Sequence, residues 1–173
     1  KVRITAIKSA EKRHTREVLN SLILNLADPK YSNLATNGLI IIGNDALDAL
    51  DSAFHKTGQN YQIMLKSIHV IGKIGGARAR QILWNKIDYP DSVLASRVLE
   101  ALGESGFKAD INQMTRIKYA IESDVEDMAW NLAAYYEVPG TKEGKILIQA
   151  INEENQHDIE HIFTLLSMLY EQR

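Results

Sequence analysis

His157-Asp158-Ile159-Glu160-His161 places two imidazoles at i and i+4, a spacing from which one helix face can grip a zinc ion. The run also matches the H-x-x-E-H pattern of one class of zinc protease. That chemistry needs a third protein ligand, for which Glu153 or Glu154 is nearest, and a walled cleft. Helical geometry puts both histidines opposite the apolar positions Ile159, Phe163 and Leu166, so they are expected to face solvent. No metal site, catalytic residue or cofactor follows from them.

Other chemistry-bearing runs reduce to structure in the same way. Gly72-Lys73-Ile74-Gly75-Gly76 is glycine-rich, yet it lacks the Gly-Lys-Ser/Thr ending of a phosphate loop and no strand precedes it, so it reads as an inter-helix turn. Asp45, Asp48 and Asp51 recur at i, i+3 and i+6. A calcium loop needs acids on alternate residues with a glycine, so this is the ridge of a helix, where early acids also complement the dipole. Trp84 and Trp130 could stack on a nucleobase, but on amphipathic helices they read as packing residues. Met64, Met114, Met128 and Met168 are core candidates.

Helices must carry these residues, because strand patterns are nearly absent. Leu94, Val98, Ala101 and Leu102 fall at i, i+4, i+7 and i+8, and Val125, Met128, Ala129, Leu132, Ala133 and Tyr136 continue the same period. Each of the three prolines, Pro29, Pro90 and Pro139, sits in a polar gap, and Pro90-Asp91-Ser92 suits a helix start. Gly43, Gly75 and Gly106 are 32 and 31 residues apart, each placed to end one helix and turn into the next. After them come parallel apolar stripes: Leu47, Leu50 and Phe54; Ala79, Leu83 and Ile87; Met114, Ile117 and Ile121.

The expected fold is all-α: about four helical hairpins plus end helices in a right-handed α-α superhelix over residues 1–173. An opening helix covers 5–27 within a basic segment 1–30. Pairs follow at 32–43 with 45–57, 60–72 with 77–88, 91–103 with 108–123, and 125–136 with 142–152, making 31–152 the repeats. A closing helix at 156–171, within 153–173, uses Ile159, Ile162, Phe163, Leu166, Leu169 and Tyr170. One hairpin cannot bury both its apolar faces, so such pairs stack side by side.

Composition narrows the function. With 173 residues, 20 Lys+Arg against 22 Asp+Glu and a net charge of −2, the chain lacks the basic balance of a dedicated nucleic-acid binder. It has no cysteine, so neither disulfides nor thiolate metal sites are available. The longest apolar run, Leu39 to Ile42, is far below the ~18–20 residues of a membrane span. Six Lys/Arg fall between Lys1 and Glu17, and five acids between Glu153 and Arg173. Different neighbours for the two ends are therefore expected. Starting at Lys1 with no Met, the chain is expected to be a segment of a larger protein.

Ile71-Gly72-Lys73-Ile74-Gly75 and Leu99-Glu100-Ala101-Leu102-Gly103 resemble HEAT-like repeats over residues 30 to 152, especially the short form of phycobilin-lyase-type arrays. The period departs from the roughly 40–47 residues of longer HEAT units. The tail from Glu154 to Leu166, ending in Leu169-Tyr170, is similar to a segment of large bacterial membrane proteins. Those join a nucleotide-translocase-like or major-facilitator transporter to a cytoplasmic HEAT domain, often with a cyclic-nucleotide-binding domain. The likeness implies a soluble regulatory or docking module on the cytoplasmic side, not the transport pathway itself; with no site chemistry and no basic balance, the module is expected to be non-enzymatic, with protein partners and no nucleic acid. Lys1, Arg3, Lys8, Lys12, Arg13 and Arg16 would suit a stretch just inside a membrane. By the same analogy second helices line an inner groove. Their outward positions are Asp45, Asp48, Ser52 and His55; Arg78, Gln81, Asn85 and Asp88; and Asn112, Arg116, Tyr119 and Ser123. This mosaic of charge suits a folded protein or peptide. Alternative readings are an enzyme or enzyme subunit on a lyase-type solenoid, and a nucleic-acid-binding solenoid.

Overall fold

A computed structural model describes residues 15–169. The basic residues before Arg16, the first part of the 5–27 helix and Tyr170 lie outside them. The described residues are helical, with no strand among them. They form α1 (Arg16–Asn25), α2 (Ser32–Ile42), a 3₁₀ turn (Gly43–Ala46), α3 (Leu47–Phe54), α4 (Tyr61–Ile74), α5 (Gly76–Trp84), α6 (Ser92–Glu104), α7 (Ile111–Glu137) and α8 (Lys142–Leu169). The chain divides into two compact units, residues 1–105 and 106–173.

In the first unit the expected punctuation holds. Gly43 and Gly75 end α2 and α4 at φ 69° and 67°, a conformation that L side chains rarely adopt. Asn60 caps α4 by accepting from Gln62 N, and Asp91 caps α6 by accepting from Leu94 N. Both stripes expected to face the core do so: Leu47, Leu50 and Phe54 on α3, and Ala79 and Leu83 on α5 with Ile87 just beyond it, are buried. Helices α2, α4 and α6 pack in sequence on one side, and α1, α3 and α5 on the other. Burying these apolar side chains, at about 25 cal/mol per Å², drives the packing. Gly72 on α4 gives way to Ala101 on α6: a Cβ built on Gly72 would lie 2.9 Å from the Ala101 Cβ.

The second unit departs from the expected hairpins. The helices expected at 108–123 and 125–136 are one helix, α7, and those at 142–152 and 156–171 are one helix, α8. The boundary expected between the repeats and a closing helix at 152–153 therefore falls in mid-helix. Ser123-Asp124 and Glu153-Glu154-Asn155 are polar but contain neither Gly nor Pro, and polar residues alone do not break a helix. Pro139-Gly140, by contrast, does separate the two. Asp110 starts α7 with a capping box, its side chain accepting from Gln113 N while the Gln113 side chain accepts from Asp110 N.

The helices α7 and α8 pack along a seam of heptad spacing. Its buried and half-buried positions are Met114, Ile117, Ile121, Asp124, Met128 and Asn131 on α7, and Gly144, Ile148, Ile151, Asn155, Asp158, Ile162 and Leu165 on α8. The expected stripe Met114, Ile117 and Ile121 lies on this seam, as does Met128, but the rest of the stripe expected at 125–136 does not. Val125, Ala129, Leu132, Ala133 and Tyr136 are exposed, and so is Phe163. No helix of the described residues is long and apolar enough to cross a membrane.

Candidate functional site

In the first unit the structure brings several expected groove residues together. Asp45, Asp48, Ser52, His55, Arg78, Gln81, Asn85 and Asp88 are all exposed. The Arg78 guanidinium donates to the Asp48 carboxylate, linking the start of α5 to α3, and Gln81 Nε2 donates to Asn85 Oδ1 at 3.1 Å. Asp45, Asp48 and Ser52 also line a cleft of about 650 Å³ whose other wall, on α1, includes Arg16, Asn20 and Leu24. In the second unit Asn112, Tyr119 and Ser123 are exposed on α7 and Arg116 is half-buried.

Lys86 was not anticipated. It is 3% exposed, in the turn after α5, and its Nζ donates to Asp51 Oδ1. The same Nζ lies 3.1 Å from His55 Nε2 and 5.0 Å from the centroid of the Phe54 ring. Phe54 in turn stands edge-on to Tyr89 at 5.0 Å. A buried ammonium is costly unless paired, and Asp51 supplies the opposite charge. Asp51 and His55 close α3, where the dipole also favours a cation. Thus two members of the acidic ridge, Asp48 and Asp51, bind the next helix pair and its turn. A signal existed in the sequence, since Lys86 lies seven residues after Ala79 on the buried stripe and its long stem can lie along apolar surface.

In the second unit the middle of the seam brings titratable side chains of α7 and α8 together. His161 Nδ1 is 2.6 Å from Asp124 Oδ2, joining α8 to α7, and both side chains are largely buried. This corrects the expectation that both histidines face solvent: His157 does, whereas His161 turns toward α7 because the seam runs through Asn155, Asp158 and Ile162. The two rings stack, centroids 6.4 Å apart. Farther along, Asn131 Nδ2 donates to Asn155 Oδ1 at 3.0 Å. Burial, then the carboxylates of Asp124 and Glu154, push Asp158 above its ordinary pKa; His157 opposes this and Asp127 adds to it. His161 Nε2 and Asp158 Oδ2 are buried without a hydrogen-bond partner.

These groups do not converge as a metal centre: among the described residues no three His, Asp or Glu side chains are arranged to hold an ion. The tryptophans separate. Trp84 packs in the core of the first unit, as expected of a packing residue, whereas Trp130 is 77% exposed on α7. No protein-family model, curated protein or solved structure matches the chain.

Proposed function

We propose that this chain is a non-enzymatic protein-docking module, a HEAT-like helical array that belongs to a larger, transporter-like bacterial protein and works on the cytoplasmic side of the membrane. The observation that carries the reading is the exposed apolar flank of α7. Val125, Leu132 and Tyr136 recur at i, i+7 and i+11, and Tyr136 is 79% exposed. Large apolar side chains aligned on one exposed helix flank suit an interaction site. The ordered packing of α1 to α6 in two rows supports the array, since helix pairs that share flanks in sequence order are the unit of a solenoid. The mosaic of exposed acid, base and amide on α3 and α5 supports a protein or peptide partner over a uniformly anionic polymer.

A photo-crosslinking amino acid at Tyr136 or Leu132 tests this in the full-length protein. Crosslinks should form to a neighbouring domain or partner protein from these positions, and not from the exposed Glu100 of α6. Equal yields from all three positions reject the reading. A low-salt gel shift tests the nucleic-acid alternative, because phosphate contacts give steeply salt-dependent binding.

A further inference from the structure

We propose that the partner on the α7 flank is a basic amphipathic helix of another protein or domain, lying along α7 and α8 as the third helix of a bundle. The inference rests on the docking reading and names the occupant of that same surface. Two observations carry it: a thin core and a rim of one sign.

The α7/α8 hairpin buries little of itself. Of the 27 residues of α7 only Ile117 is buried, and of the 28 of α8 only Gly144, Ile151, Leu165 and Met168. A helix buries its apolar stripe against another element, yet Val125 stays 52% exposed and Leu132 54%. Val125 and Leu132 follow directly on the inner positions Asp124 and Asn131, and Ile159 follows on Asp158. In an antiparallel pair these three lie on one side of the seam. Phe163, one turn beyond Ile159, is exposed on that side. With Ala129 included, the stripe recurs at i, i+4, i+7 and i+11, the spacing against which a helix packs. At 1.5 Å per residue it is about 16 Å long, three turns of a partner helix.

The rim sets the partner's charge. No Lys or Arg occurs between Tyr119 and Thr141 or between Ile146 and Leu169, whereas nine Asp or Glu do. Lys118 and Lys145 stand only at the two ends of the stripe. Glu122 and Glu126 on α7, and Glu153 and Glu160 on α8, are exposed. Glu153 and Glu160 accept from Gln149 and Gln156, neutral amides that leave the charge uncompensated. A second copy of this hairpin would set like charge against like, which opposes association. A helix with one apolar face bordered by Lys or Arg meets both demands. Its apolar face packs on Val125, Leu132, Tyr136 and Phe163 while its cations reach the carboxylates.

Fluorescence anisotropy on the whole chain tests this with a labelled peptide of about 14 residues, slightly longer than three turns. The first probe has Leu at i, i+4, i+7 and i+11 and Lys at the bordering positions. A second has Glu for every Lys, and a third has the first one's composition in an order without an apolar face. The Lys probe should bind about tenfold or more tightly than either control. It should gain helix by circular dichroism as it binds, since so short a peptide is largely unfolded alone. Raising salt from about 50 mM to about 500 mM, which screens surface charge, should weaken it severalfold. Glu122→Lys with Glu126→Lys, and separately Leu132→Ser with Tyr136→Ser, should each weaken it about tenfold, while Glu100→Lys on α6 should not. Helix content of each variant is checked first, and if the charge variant does not fold, the salt dependence decides.

Equal binding of either control probe, salt-independent binding, or wild-type affinity in both double variants overturns the proposal. So does a concentration-dependent dimer abolished by Leu132→Ser with Tyr136→Ser, which would assign the flank to a second copy. Crosslinks from Tyr136 in the full-length protein separate this failure from that of the docking reading. A captured segment rich in Asp and Glu overturns the basic partner alone, whereas yields no higher than from Glu100 reject both.

Discussion

Lys73 Nζ lies 2.9 Å from Glu104 Oε2, joining α4 to α6 between residues 31 positions apart. Tyr61 Oη donates to Asp91 at 2.9 Å across 30 positions, and the Arg78–Asp48 pair spans 30 as well. The period marked by Gly43 and Gly75 is therefore repeated in side-chain bonds. Lys73 holds the Glu104 carboxyl below its ordinary pKa, first by hydrogen bonding and then by charge. An acid whose folded value is depressed contributes stability above its unfolded value and loses it as pH falls through the folded one. Glu104→Gln should thus reduce stability slightly at neutral pH, by less than about 1 kcal/mol because the pair is exposed. It should leave stability unchanged at pH below the folded value. Thermal melts at the two pH values, at low and high salt, check this.

Lys86 and Asp51 should respond unequally to truncation. Lys86→Met keeps the stem that fills the space beside Phe54 and leaves Asp51, which is partly exposed, able to regain water. Asp51→Ala instead strands the buried ammonium. We expect a loss of about 1 kcal/mol for the first and about 3 kcal/mol for the second, measured by urea unfolding. Equal losses would show that the charge pairing is not what matters.

Gly72→Ala should destabilise the first unit, although alanine gains about 1 kcal/mol over glycine at an exposed helix position. Its methyl would meet the Ala101 Cβ at 2.9 Å, and overpacking of this kind costs about 1–3 kcal/mol. Ala101→Gly in the same chain should recover most of the loss, with a double-mutant cycle as the measure.

Leu132→Ser with Tyr136→Ser should leave the melting temperature of the isolated chain nearly unchanged, because both side chains are already exposed. Surface changes usually stay within about 0.5 kcal/mol. Crosslinking to a partner in the full-length protein should fall severalfold. A large drop in stability would show instead that the flank is buried in solution.

The first unit was largely legible because glycine and proline punctuate it. Gly43, Gly75 and Pro90 end or begin helices for steric reasons that hold in any surroundings. The second unit was misread at Ser123-Asp124 and Glu153-Glu154-Asn155, where polar residues sit in helix interiors without a breaker beside them. A second difficulty was that α7 carries two stripes at helical spacing. The apolar one, Val125 to Tyr136, is exposed but for Met128, and the seam beyond Met114, Ile117 and Ile121 was hidden because Asp124 and Asn131 occupy inner positions. Periodicity ranks faces by hydrophobicity, and a polar pair satisfied across an interface defeats that ranking. The same applies to Lys86, whose burial depends on a carboxylate 35 residues away.

The close approach of α4 and α6 at Gly72 and Ala101 leaves no slack along that contact. Two helices that meet at a hydrogen atom and a methyl group cannot slide past each other without one riding up over the other. Any sliding of α4 along α6 would first have to part Gly72 from Ala101.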